Sequence, residues 1–394
     1  MKILFLTSRF PYPPKDGARL RTFKLIEHFA KNHEVHLASF IESSLNESLK
    51  QELSAYIKEM HLIYTAKTES YLRCALGLLG TLPLQVYYYK RKKMQSLINH
   101  LLKSQKYDLV ISHLIRMTEY IKHYDIPKIL EMTDAQSLHY ARAENYKKGI
   151  SWLINHVEKK RARNYEPAIT GFFNSTVVVS GVDEKQLRNL GAKGDTAVIP
   201  NGVDFQFFNA DNSKRESNSL LFLGNLPYAP NTDAALLLGH KIMPLIWKQF
   251  PDMRLYVVGA KPPASVQKLS SNSNIIVTGY VEDVREYYHK GLILAAPIRY
   301  AAGTQYKIIE AMACGCPVVT TSFSAEAINA VHGKHLIVAG ASPEDFSTAV
   351  IDLFRNKLLQ QELSVNARQY IQQQYDWEKI LKKYDEIVEK AVKT

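Results

Sequence analysis

Short apolar runs alternate along the chain with longer segments in which apolar residues recur every three or four positions. The short runs predict buried β-strands, and the periodic segments predict amphipathic helices. In the first half, strands are predicted at 3–7, 34–39, 59–64, 109–112, 128–132 and 176–179. Helices are predicted at 19–31, at 45–57 and, as one long segment, at 137–166. This alternation is typical of an α/β protein whose parallel sheet has helices on both faces.

The same alternation starts again after a turn-rich segment with the sequence IPNGVD, residues 199–204. Strands are predicted at 220–223, 254–258, 275–278, 292–296 and 318–320, and a helix follows each of the first four. A chain of 394 residues is long enough for two or three domains. The pattern therefore predicts two doubly wound domains, residues 1–199 and 200–375, that face each other across a cleft.

Composition excludes several classes of protein. Three cysteines, Cys74, Cys314 and Cys316, are too few for a disulfide framework. Cys314 and Cys316 lack the second Cys/His pair of a zinc site, so we interpret them as packing residues at a turn. No run reaches the roughly 18 apolar residues of a membrane span, and residues 1–7 lack a signal-peptide cleavage site. We expect a cytoplasmic protein.

The net charge of +12 requires an anionic partner or surface to be considered. The sequence shows no helix-turn-helix, zinc-finger or aromatic RNA-binding signature, which argues against nucleic acid. Residues 71–84 are apolar and aromatic, and the cationic block 87–93, YYYKRKK, follows them. This composition suits the surface of an anionic membrane. The alternative is a solvated helix end with tyrosines packed in a core.

The segment 297–321 carries the clearest candidate chemistry. A predicted strand ends in a turn that contains Gly303 and Thr304, and a helix with a periodic apolar face follows. Free backbone N–H groups and the positive end of the helix dipole would then point at one spot, which favours an anion. Lys307 adds a full charge, and Glu310 can accept hydrogen bonds from hydroxyls. A phosphate site next to a polyol site indicates a nucleotide sugar.

This segment resembles the donor-binding segment of the retaining GT-B glycosyltransferases of the family 4, or group 1, type. The run EAMACGCPVV, residues 310–319, matches the second half of the family motif closely. The family usually carries another glutamate eight positions before the first residue of this run, where this chain has Ala302. Gly303, Thr304 and Lys307 together resemble a subgroup associated with bacterial exopolysaccharide. The resemblance implies a GT-B fold and transfer with retention.

The resemblance also implies further contacts with the donor. Many relatives bind the diphosphate through an arginine and a lysine after the strand that ends here near Gly224, but residues 227–231 contain no cation. Arg299, Lys307 and the helix N-terminus are the predicted substitutes, and Lys261 is another candidate. Tyr280 and Val281 match the position beside the nucleobase. The predicted donor-binding residues are Gly17, Gly224, Asn225, Tyr280, Val281, Arg299, Gly303, Thr304, Gln305, Lys307 and Glu310.

The loop 8–19 contains three prolines and Gly17. Relatives carry a glycine-bearing loop here that approaches the donor phosphates or the acceptor; the alternative is an ordinary first helical turn. Arg19 and Arg21 could reach a phosphate or could be surface charges. The loop has no GxGxxG fingerprint, which argues against a dinucleotide-dependent enzyme.

Asp134 follows the strand predicted at 128–132. Relatives place a histidine or an aspartate there, next to the reacting sugar, and an aspartate could accept a hydrogen bond from the sugar or the acceptor. The alternative is that Asp134 caps the following helix. His113 is a weaker candidate, because buried structural histidines are common after such strands.

The final segment, 376–394, predicts a helix with Asp376 as its N-cap. In relatives, such a helix crosses back to the N-terminal domain. The resemblance therefore covers nearly the whole chain, although its sharpest motifs lie in the second half.

The hypothesis is a hexosyltransferase that moves sugar from a nucleoside-diphosphate sugar to a glycan or lipid-linked acceptor, in bacterial surface polysaccharide synthesis at the inner face of the plasma membrane. Asp134, Lys307 and Glu310 are the catalytic candidates. No Asp-x-Asp motif is present, so we expect neither a metal nor another cofactor. A non-catalytic nucleotide-sugar-binding subunit is the first alternative, favoured by Ala302 and by the missing cations after Gly224. A nucleotide-sugar epimerase is the second.

Overall fold

The computed structural model describes residues 1–14, 16–42, 47–211, 213 and 215–393. They form two compact units, Met1–Pro200 with Leu381–Thr394, and Asn201–Ile380. The sequence-based division between residues 199 and 200 lies one position from the end of the first segment. Within the described ranges, no helix is both long enough and apolar enough to cross a membrane.

The first unit contains a seven-stranded parallel sheet. Its strands are β1 Lys2–Thr7, β2 Glu34–Ile41, β3 Glu59–Tyr64, β4 Leu109–His113, β5 Lys128–Thr133, β6 Ser175–Val178 and β7 Thr196–Val198. They lie in the order β3-β2-β1-β4-β5-β6-β7. The direction of winding reverses between β1 and β4, and ligands of such sheets bind beyond the carboxyl ends of the strands at this point.

Eight helices of the described chain belong to the first unit before residue 200. They are α1 Gly17–Phe29, α2 Glu47–Ser54, α3 Lys67–Gly77, α4 Leu84–Tyr89, α5 Lys92–Ser104, α6 Gln136–Ala143, α7 Gly149–Thr170 and α8 Gly181–Asn189. Residues of β1, β2, β4 and β5 are almost all buried, as a parallel sheet covered on both faces requires.

The single long helix predicted at 137–166 is wrong. The structure has two helices, α6 and α7, separated by the 3₁₀ turn Glu144–Tyr146. Gly149 begins α7 with φ of 55°, a left-handed conformation that an apolar periodicity does not reveal. Helix α7 then continues beyond the predicted end, through Pro167 to Thr170.

Smaller differences concern the ends of elements. The predicted helix at 45–57 is α2, Glu47–Ser54, and its predicted start at Leu45 lies outside the described residues. Strand β2 extends two residues beyond the predicted end, to Ile41. Strand β7 and a second short strand, Ile337–Ala339, were not predicted, because three residues at a sheet edge give no readable alternation.

The second unit contains a six-stranded parallel sheet. Its strands are β8 Ser219–Leu223, β9 Arg254–Val258, β10 Ile275–Gly279, β11 Ile293–Ala296, β12 Val318–Thr321 and β13 Ile337–Ala339. They lie in the order β10-β9-β8-β11-β12-β13, so the winding reverses between β8 and β11. The fold class predicted from the alternation, two doubly wound α/β domains, is confirmed.

The second unit carries helices on both faces of its sheet. They are α9 Ala229–Leu237, α10 Met243–Trp247, α11 Ala264–Gln267, α12 Arg285–Lys290, α13 Tyr306–Ala313, α14 Ser322–Glu326, α15 Pro343–Arg355, α16 Lys357–Gln374 and the start of α17 Trp377–Lys393. Leu220 and Phe222 of β8 belong to one apolar core, whereas Leu221 and Leu223 belong to another. This division follows from the alternation of side chains along a strand.

Helix α17 starts in the second unit and continues in the first. The prediction that Asp376 caps it is confirmed, because Asp376 Oδ1 accepts a 2.9 Å hydrogen bond from Glu378 N. In the first unit, Tyr384 is fully buried against Phe29, with ring centroids 5.9 Å apart. Asp385 lies 2.8 Å from His28 Nε2, so the last turns of α17 complete the packing around α1.

Candidate functional site

The winding of the second sheet reverses where β8 and β11 lie side by side. The chain leaves β8 at Gly224 and Asn225, and it leaves β11 at Pro297, before a loop that leads into α13. Because the strands are parallel, both exits lie at the same edge of the sheet. The segment singled out in the sequence therefore lies at the position where α/β sheets bind ligands.

The turn before α13 has the conformation that its glycine permits. Gly303 has φ of 68°, in the left-handed region. Thr304 is buried, and Gln305 precedes the helix without a side-chain capping bond. Ile308 N donates a 3.0 Å hydrogen bond to the carbonyl of Gln305, and the positive end of the α13 dipole at this turn favours an anion.

Lys307 lies in the first turn of α13 with its charged end inside the protein. Its Nζ donates a 2.5 Å hydrogen bond to Asn231 Oδ1 and lies 5.2 Å from the centre of the Phe222 ring. Burial lowers the pKa of Lys307 to about 7. Desolvation disfavours the charged ammonium, so an incoming anion would stabilise a charge that the protein alone supports weakly.

Gly224 makes this arrangement possible. A Cβ atom there would lie 2.8 Å from Asn231 Nδ2 and 3.2 Å from Lys307 Cε. Asn231 is itself fixed, because its Nδ2 donates a 2.9 Å hydrogen bond to the carbonyl of Asn225. The turn after β8 thus positions the ammonium of Lys307 through Asn231.

Glu310 lies three residues after Lys307, and the two side chains are therefore neighbours on α13. Its Oε2 accepts a 2.7 Å hydrogen bond from the Tyr288 hydroxyl. Burial raises the pKa of Glu310, and the bond from Tyr288 and the charge of Lys307 act in the opposite direction. Tyr288 therefore orients one carboxylate oxygen and leaves the other for a hydroxyl group.

Arg299, predicted to bind the diphosphate, lies in an ion pair within the same unit. Its Nε donates a 2.8 Å hydrogen bond to Asp233 Oδ2, and its Nη2 binds Asp233 Oδ1. The paired carboxylate offsets much of the guanidinium charge. Lys307, by contrast, has a neutral hydrogen-bond partner, the side-chain amide of Asn231. Ala302, at the position where the family usually has a glutamate, is buried.

Tyr280, Val281 and Lys261 lie farther along this sheet. Tyr280 follows β10 and is 65% exposed, and Lys261 follows β9 and is also exposed. Strand β10 is separated from β8 by β9. The ring of Tyr280 is thus exposed at this edge of the sheet, whereas Lys307 and Glu310 lie at the reversal point.

Sequence reasoning missed Asn231, Asp233 and Tyr288. Asn231 and Asp233 belong to the first turns of α9, which follows the cation-free loop after β8. Polar residues at that position were the available signal, since they lie where relatives place cations. Tyr288, from α12, gave no signal, because its contact with Glu310 joins residues 22 positions apart.

In the first unit, a small cavity lies beyond the ends of β1 and β4 at the start of α1. Its lining residues are Ser8, Arg9, Ala18, Arg19, Thr22 and His113. Gly17 is the first residue of α1, and Asp16 caps the helix by accepting a 3.0 Å bond from Arg19 N. Gly17 therefore lies beside the cavity without contributing a side chain.

His113 enters this cavity as a neutral group. Burial and the charges of Arg116 and Arg9 lower its pKa to about 3. Its Nε2 has no hydrogen-bond partner among the residues that the structure describes. A neutral imidazole can still donate or accept one hydrogen bond from a ligand hydroxyl.

Asp134 lies beyond β5, and it does not cap the next helix, which was the alternative to a functional role. Glu166 caps that helix instead, with its carboxylate 2.6 Å from Gln136 N and 3.1 Å from Ser137 N. Asp183 Oδ1 accepts a 3.0 Å bond from Ala135 N. Helix α6 therefore draws its caps from α7 and α8 rather than from its own preceding residue.

The carboxyl of Asp134 is consequently uncommitted to the helix backbone. Its Oδ2 accepts a 3.2 Å hydrogen bond from the Gln136 side chain. Burial and the nearby charge of Asp183 raise the pKa of Asp134 to about 7. Such a pKa lets the group hold or release a proton near neutral pH.

Arg21 does not reach a phosphate. It is 1% exposed, and its Nε and Nη2 lie 2.9 and 3.2 Å from the two carboxylate oxygens of Glu131. Its Nη1 donates a 2.9 Å bond to the carbonyl of Pro200. This buried bidentate pair ties α1 to β5 and is a structural element of the first unit.

Cys314 and Cys316 are fully buried members of an apolar core. Gly315, between them, has φ of 67° and ends α13, and Cys316 N returns a 2.8 Å bond to the carbonyl of Ala311. The two cysteines therefore pack where the helix turns into β12.

Comparison with known proteins agrees with the fold. Residues 217–356 match the family model described as glycosyl transferases group 1. The structure is similar to sucrose-phosphate synthase from Thermosynechococcus elongatus, with 16% identity, a TM-score of 0.73 and 98% of each chain covered. The chain has a GT-B fold.

Two further proteins match nearly the whole length of the chain. Anabaena HepE in complex with UDP is 14% identical with a TM-score of 0.68, and the match covers 99% of this chain and all of HepE. A 44.6 kDa protein from the cps region of Klebsiella pneumoniae, described as uncharacterized, is 25% identical, with 96% of this chain and 97% of that protein covered.

Proposed function

We propose that the protein is a glycosyltransferase that transfers a sugar from a nucleoside-diphosphate sugar to a glycan or lipid-linked acceptor. The observation that carries the proposal is that Lys307 and Glu310 lie three residues apart on α13. Both side chains extend from the start of α13 at the reversal point between β8 and β11, beside Gly224. A cation and a carboxylate at that point suit a diphosphate and a ribose.

In this proposal, the N–H groups of residues 303–305 and the Lys307 ammonium bind the diphosphate. They stabilise the negative charge that develops when the nucleoside diphosphate leaves. Glu310, oriented by Tyr288, accepts hydrogen bonds from the ribose hydroxyls, and Tyr280 and Val281 contact the base. The HepE complex with UDP supports this class of donor, and the resemblance to retaining enzymes supports retention.

For the acceptor, we propose a role for Asp134 together with the cavity beside Gly17 and His113. With a pKa near 7, Asp134 can accept a hydrogen bond from a hydroxyl of the sugar or the acceptor. The Klebsiella relative in the cps region supports an acceptor in surface polysaccharide synthesis. We propose that transfer needs no metal, because the Lys307 charge and the helix N-terminus take the place of one.

The test is thermal stabilisation by UDP-, GDP-, ADP- and dTDP-sugars, followed by analysis of products with candidate acceptors. We expect one nucleotide class to raise the melting temperature, and Glu310→Gln to lose most of that shift while keeping its own fold. Glu326→Ala, an exposed carboxylate on α14, is the matched control and should behave as wild type. Stabilisation by no donor, in folded protein, would contradict the proposal.

Product analysis separates the alternatives. Release of nucleoside diphosphate only when acceptor is present indicates a transferase. Conversion of the donor sugar without release of nucleotide would indicate an epimerase. Donor binding with no turnover for any acceptor would favour a non-catalytic binding subunit, the alternative that Ala302 supports.

We also propose that the first unit contacts an anionic membrane at the inner face of the plasma membrane. Five apolar residues of α3 and the loop after it are at least 59% exposed: Tyr71, Leu72, Leu76, Leu78 and Leu79. The first turns of α7 add Ile150, Trp152, Leu153 and Ile154, which are 41–79% exposed. We call these nine residues the apolar face.

Two charged side chains of α7 connect the two parts of the apolar face. Arg161 of α7 donates hydrogen bonds to the carbonyls of Gly77, Leu78 and Gly80. Glu158 of α7 accepts a 2.8 Å bond from Leu84 N. Hydrogen bonds that link the buried side chains of Arg161 and Glu158 to the backbone therefore hold the two parts of the apolar face together.

Exposed cations lie close to the residues of the apolar face along the sequence. Lys90, Lys92, Lys93, Lys148 and Lys160 are exposed. Arg91 and Tyr89, by contrast, are buried, so part of the block 87–93 packs in a core. Exposed apolar side chains accompanied by lysines complement an anionic lipid surface.

The test is co-sedimentation with vesicles of phosphatidylcholine alone or with phosphatidylglycerol. We expect binding only to the anionic vesicles, and loss of binding in Leu79→Glu/Ile150→Glu. The control is Leu358→Glu/Val365→Glu, which changes two exposed apolar residues of the second unit, 67% and 66% exposed. The protein could instead form a dimer that binds no vesicles. If Leu79→Glu/Ile150→Glu dissociated such a dimer, a second copy of the chain would be shown to cover the apolar face.

A further inference from the structure

A cluster of metal-ligating side chains lies in the first unit, away from the candidate acceptor residues. His36 belongs to β2, and Glu59 and His61 belong to β3. His36 pairs with Glu59 across the two strands, and His61 follows two positions later on the same face of the sheet. The cluster lies near the amino end of β3, whereas Asp134 follows the carboxyl end of β5.

The three ligating atoms are close enough to share one ion. Glu59 Oε2 lies 3.3 Å from His61 Nε2 and 3.6 Å from His36 Nδ1. All three atoms lie within 4.8 Å of one another. Ligands bound to zinc at about 2.0–2.1 Å in a tetrahedron are separated by about 3.4 Å, which agrees with the two shorter distances.

The imidazole of His36 has the orientation and tautomer of a ligand. Its Nε2 lies 3.0 Å from Glu34 Oε1, and Lys2 holds that carboxylate at 3.0 Å. Its Nδ1 lies 3.0 Å from the Tyr107 hydroxyl and 3.6 Å from Glu59 Oε2. Because Nε2 donates to the Glu34 carboxylate, the Nδ1 lone pair is an acceptor, and a metal ion would bind it in place of the Tyr107 hydroxyl. A carboxylate behind a ligating histidine is a common feature of zinc sites.

Two buried polar atoms in and beside the cluster have no hydrogen bond within the described part of the chain. They are Nε2 of His61 and Oε1 of the neighbouring Gln105. The Gln105 amide donates a 3.0 Å bond to Glu59 Oε2, which places Oε1 beside the same carboxylate. Buried polar atoms without partners are costly, and a cation among the three ligands would satisfy His61.

An ion-pair cluster without metal is the competing explanation. In such a cluster the Tyr107 hydroxyl can donate to His36 Nδ1, but His61 Nε2 keeps no hydrogen-bond partner within the described part of the chain. A divalent cation bound by all three ligands gives that nitrogen a partner and also accounts for the spacing of the three atoms.

We propose that His36 Nδ1, Glu59 Oε2 and His61 Nε2 bind one Zn²⁺ ion, with a fourth position open to water. Two imidazoles and one carboxylate without sulfur suit zinc, and nickel and copper follow the same preference. The ion joins β3, the edge strand, to β2 and is structural. It is separate from the donor site, so the proposal is independent of the proposed transfer reaction.

The test is metal titration of tag-free protein after treatment with a chelator. We expect one equivalent of Zn²⁺ to bind, to raise the melting temperature, and to compete with Co²⁺, whose visible absorption reports four-coordination. His61→Ala and Glu59→Gln should each lose at least about tenfold in affinity, and Glu34→Gln about tenfold as well. His100→Ala, an exposed histidine on α5, is the matched control and should bind as wild type.

Equal affinity in wild type, His61→Ala and Glu59→Gln would overturn the proposal, as would loss of binding in His100→Ala. Circular dichroism of each variant without metal shows whether it has folded. His61 and Glu59 are partly exposed, so both variants are expected to fold. Sugar transfer that survives metal removal would leave the zinc proposal intact, and a failed transfer assay would not bear on it.

Discussion

The Nζ of Lys307 is held 2.5 Å from Asn231 Oδ1, so a neutral amide rather than a carboxylate partners this buried ammonium. The charge remains available to an anion. We expect Lys307→Met to lower kcat/KM by about 10²–10³, the cost of removing one group that stabilises a developing negative charge. Lys261→Met, which removes an exposed cation after β9, should change it less than about threefold. Steady-state kinetics with the identified donor compares the two variants. Equal losses of kcat/KM would contradict the assignment of Lys307 to the diphosphate.

Asn231 itself is expected to act by positioning. Asn231→Ala leaves Lys307 in place but removes its partner and the bond to the carbonyl of Asn225. We expect a smaller fall in kcat/KM than for Lys307→Met, with partial recovery in Asn231→Ser. If Asn231→Ala were as damaging as Lys307→Met, with no recovery by serine, Asn231 would have to contact the donor directly.

Nucleotide binding should depend on pH through Lys307. Because its pKa in the free protein is about 7 and a bound diphosphate raises it, binding takes up a proton above that pKa. Affinity should therefore fall as pH rises from about 6 to 8, by up to about tenfold per unit. Calorimetry in buffers of different ionisation enthalpy measures the uptake. The uptake should be absent in Lys307→Met; if it persists there, another group is responsible.

Asp134 predicts a pH-dependent stability. Its folded pKa of about 7 lies above the ordinary value, so its contribution to stability is complete below about pH 4 and is lost as pH rises through about 7. Asp134→Asn removes this loss. Urea unfolding should show the variant more stable relative to wild type at about pH 8 than at about pH 5, by on the order of 1–2 kcal/mol. An equal difference at both values would show that the pKa is ordinary.

The buried pair of Arg21 and Glu131 predicts strong non-additivity. Arg21→Met leaves an uncompensated buried carboxylate and should destabilise the protein by about 3–5 kcal/mol. Arg21→Met/Glu131→Leu removes both charges and should recover much of that loss. Chemical denaturation of the two single variants and the double variant measures the coupling, and additive effects would contradict it.

Gly149 and Gly181 form a natural comparison, because a Cβ atom at either position meets nothing within 4 Å. Only Gly149 has a left-handed φ, 55°. Gly149→Ala should therefore cost about 1 kcal/mol of stability, whereas Gly181→Ala should be neutral or gain about 0.4–1 kcal/mol. Thermal unfolding of the two variants checks the difference, and equal effects would show that the backbone conformation is not the cause.

The fold was predictable because most buried strands are apolar runs and most helices have apolar residues that recur every three or four positions. The turn at Gly303 and the residues Lys307 and Glu310 were also readable, since one short segment carries all of them. What surrounds them was not. Asn231 and Tyr288 contact residues of α13 because the strand order β10-β9-β8-β11-β12-β13 brings their helices close to it. No local sequence pattern encodes which strands become neighbours.

The first unit shows the same limit. Adjacency made a helix cap the alternative role for Asp134, but Glu166, 30 positions after Gln136, provides the cap. The split between α6 and α7 consists of a 3₁₀ turn at Glu144–Tyr146 and a left-handed Gly149, and apolar periodicity reveals neither. Capping by distant carboxylates follows from tertiary packing, which sequence periodicity does not specify.

Helix α17 also bears on the order of folding. Tyr384, Val388 and Ala391 are at most 2% exposed and pack within a unit whose other residues end at Pro200. During synthesis, residues 1–200 would emerge with that apolar surface uncovered and would wait for nearly 200 further residues, a long loop to close. The first unit therefore completes its core after the second has been made, and a fragment ending at Pro200 would expose a surface prone to aggregation.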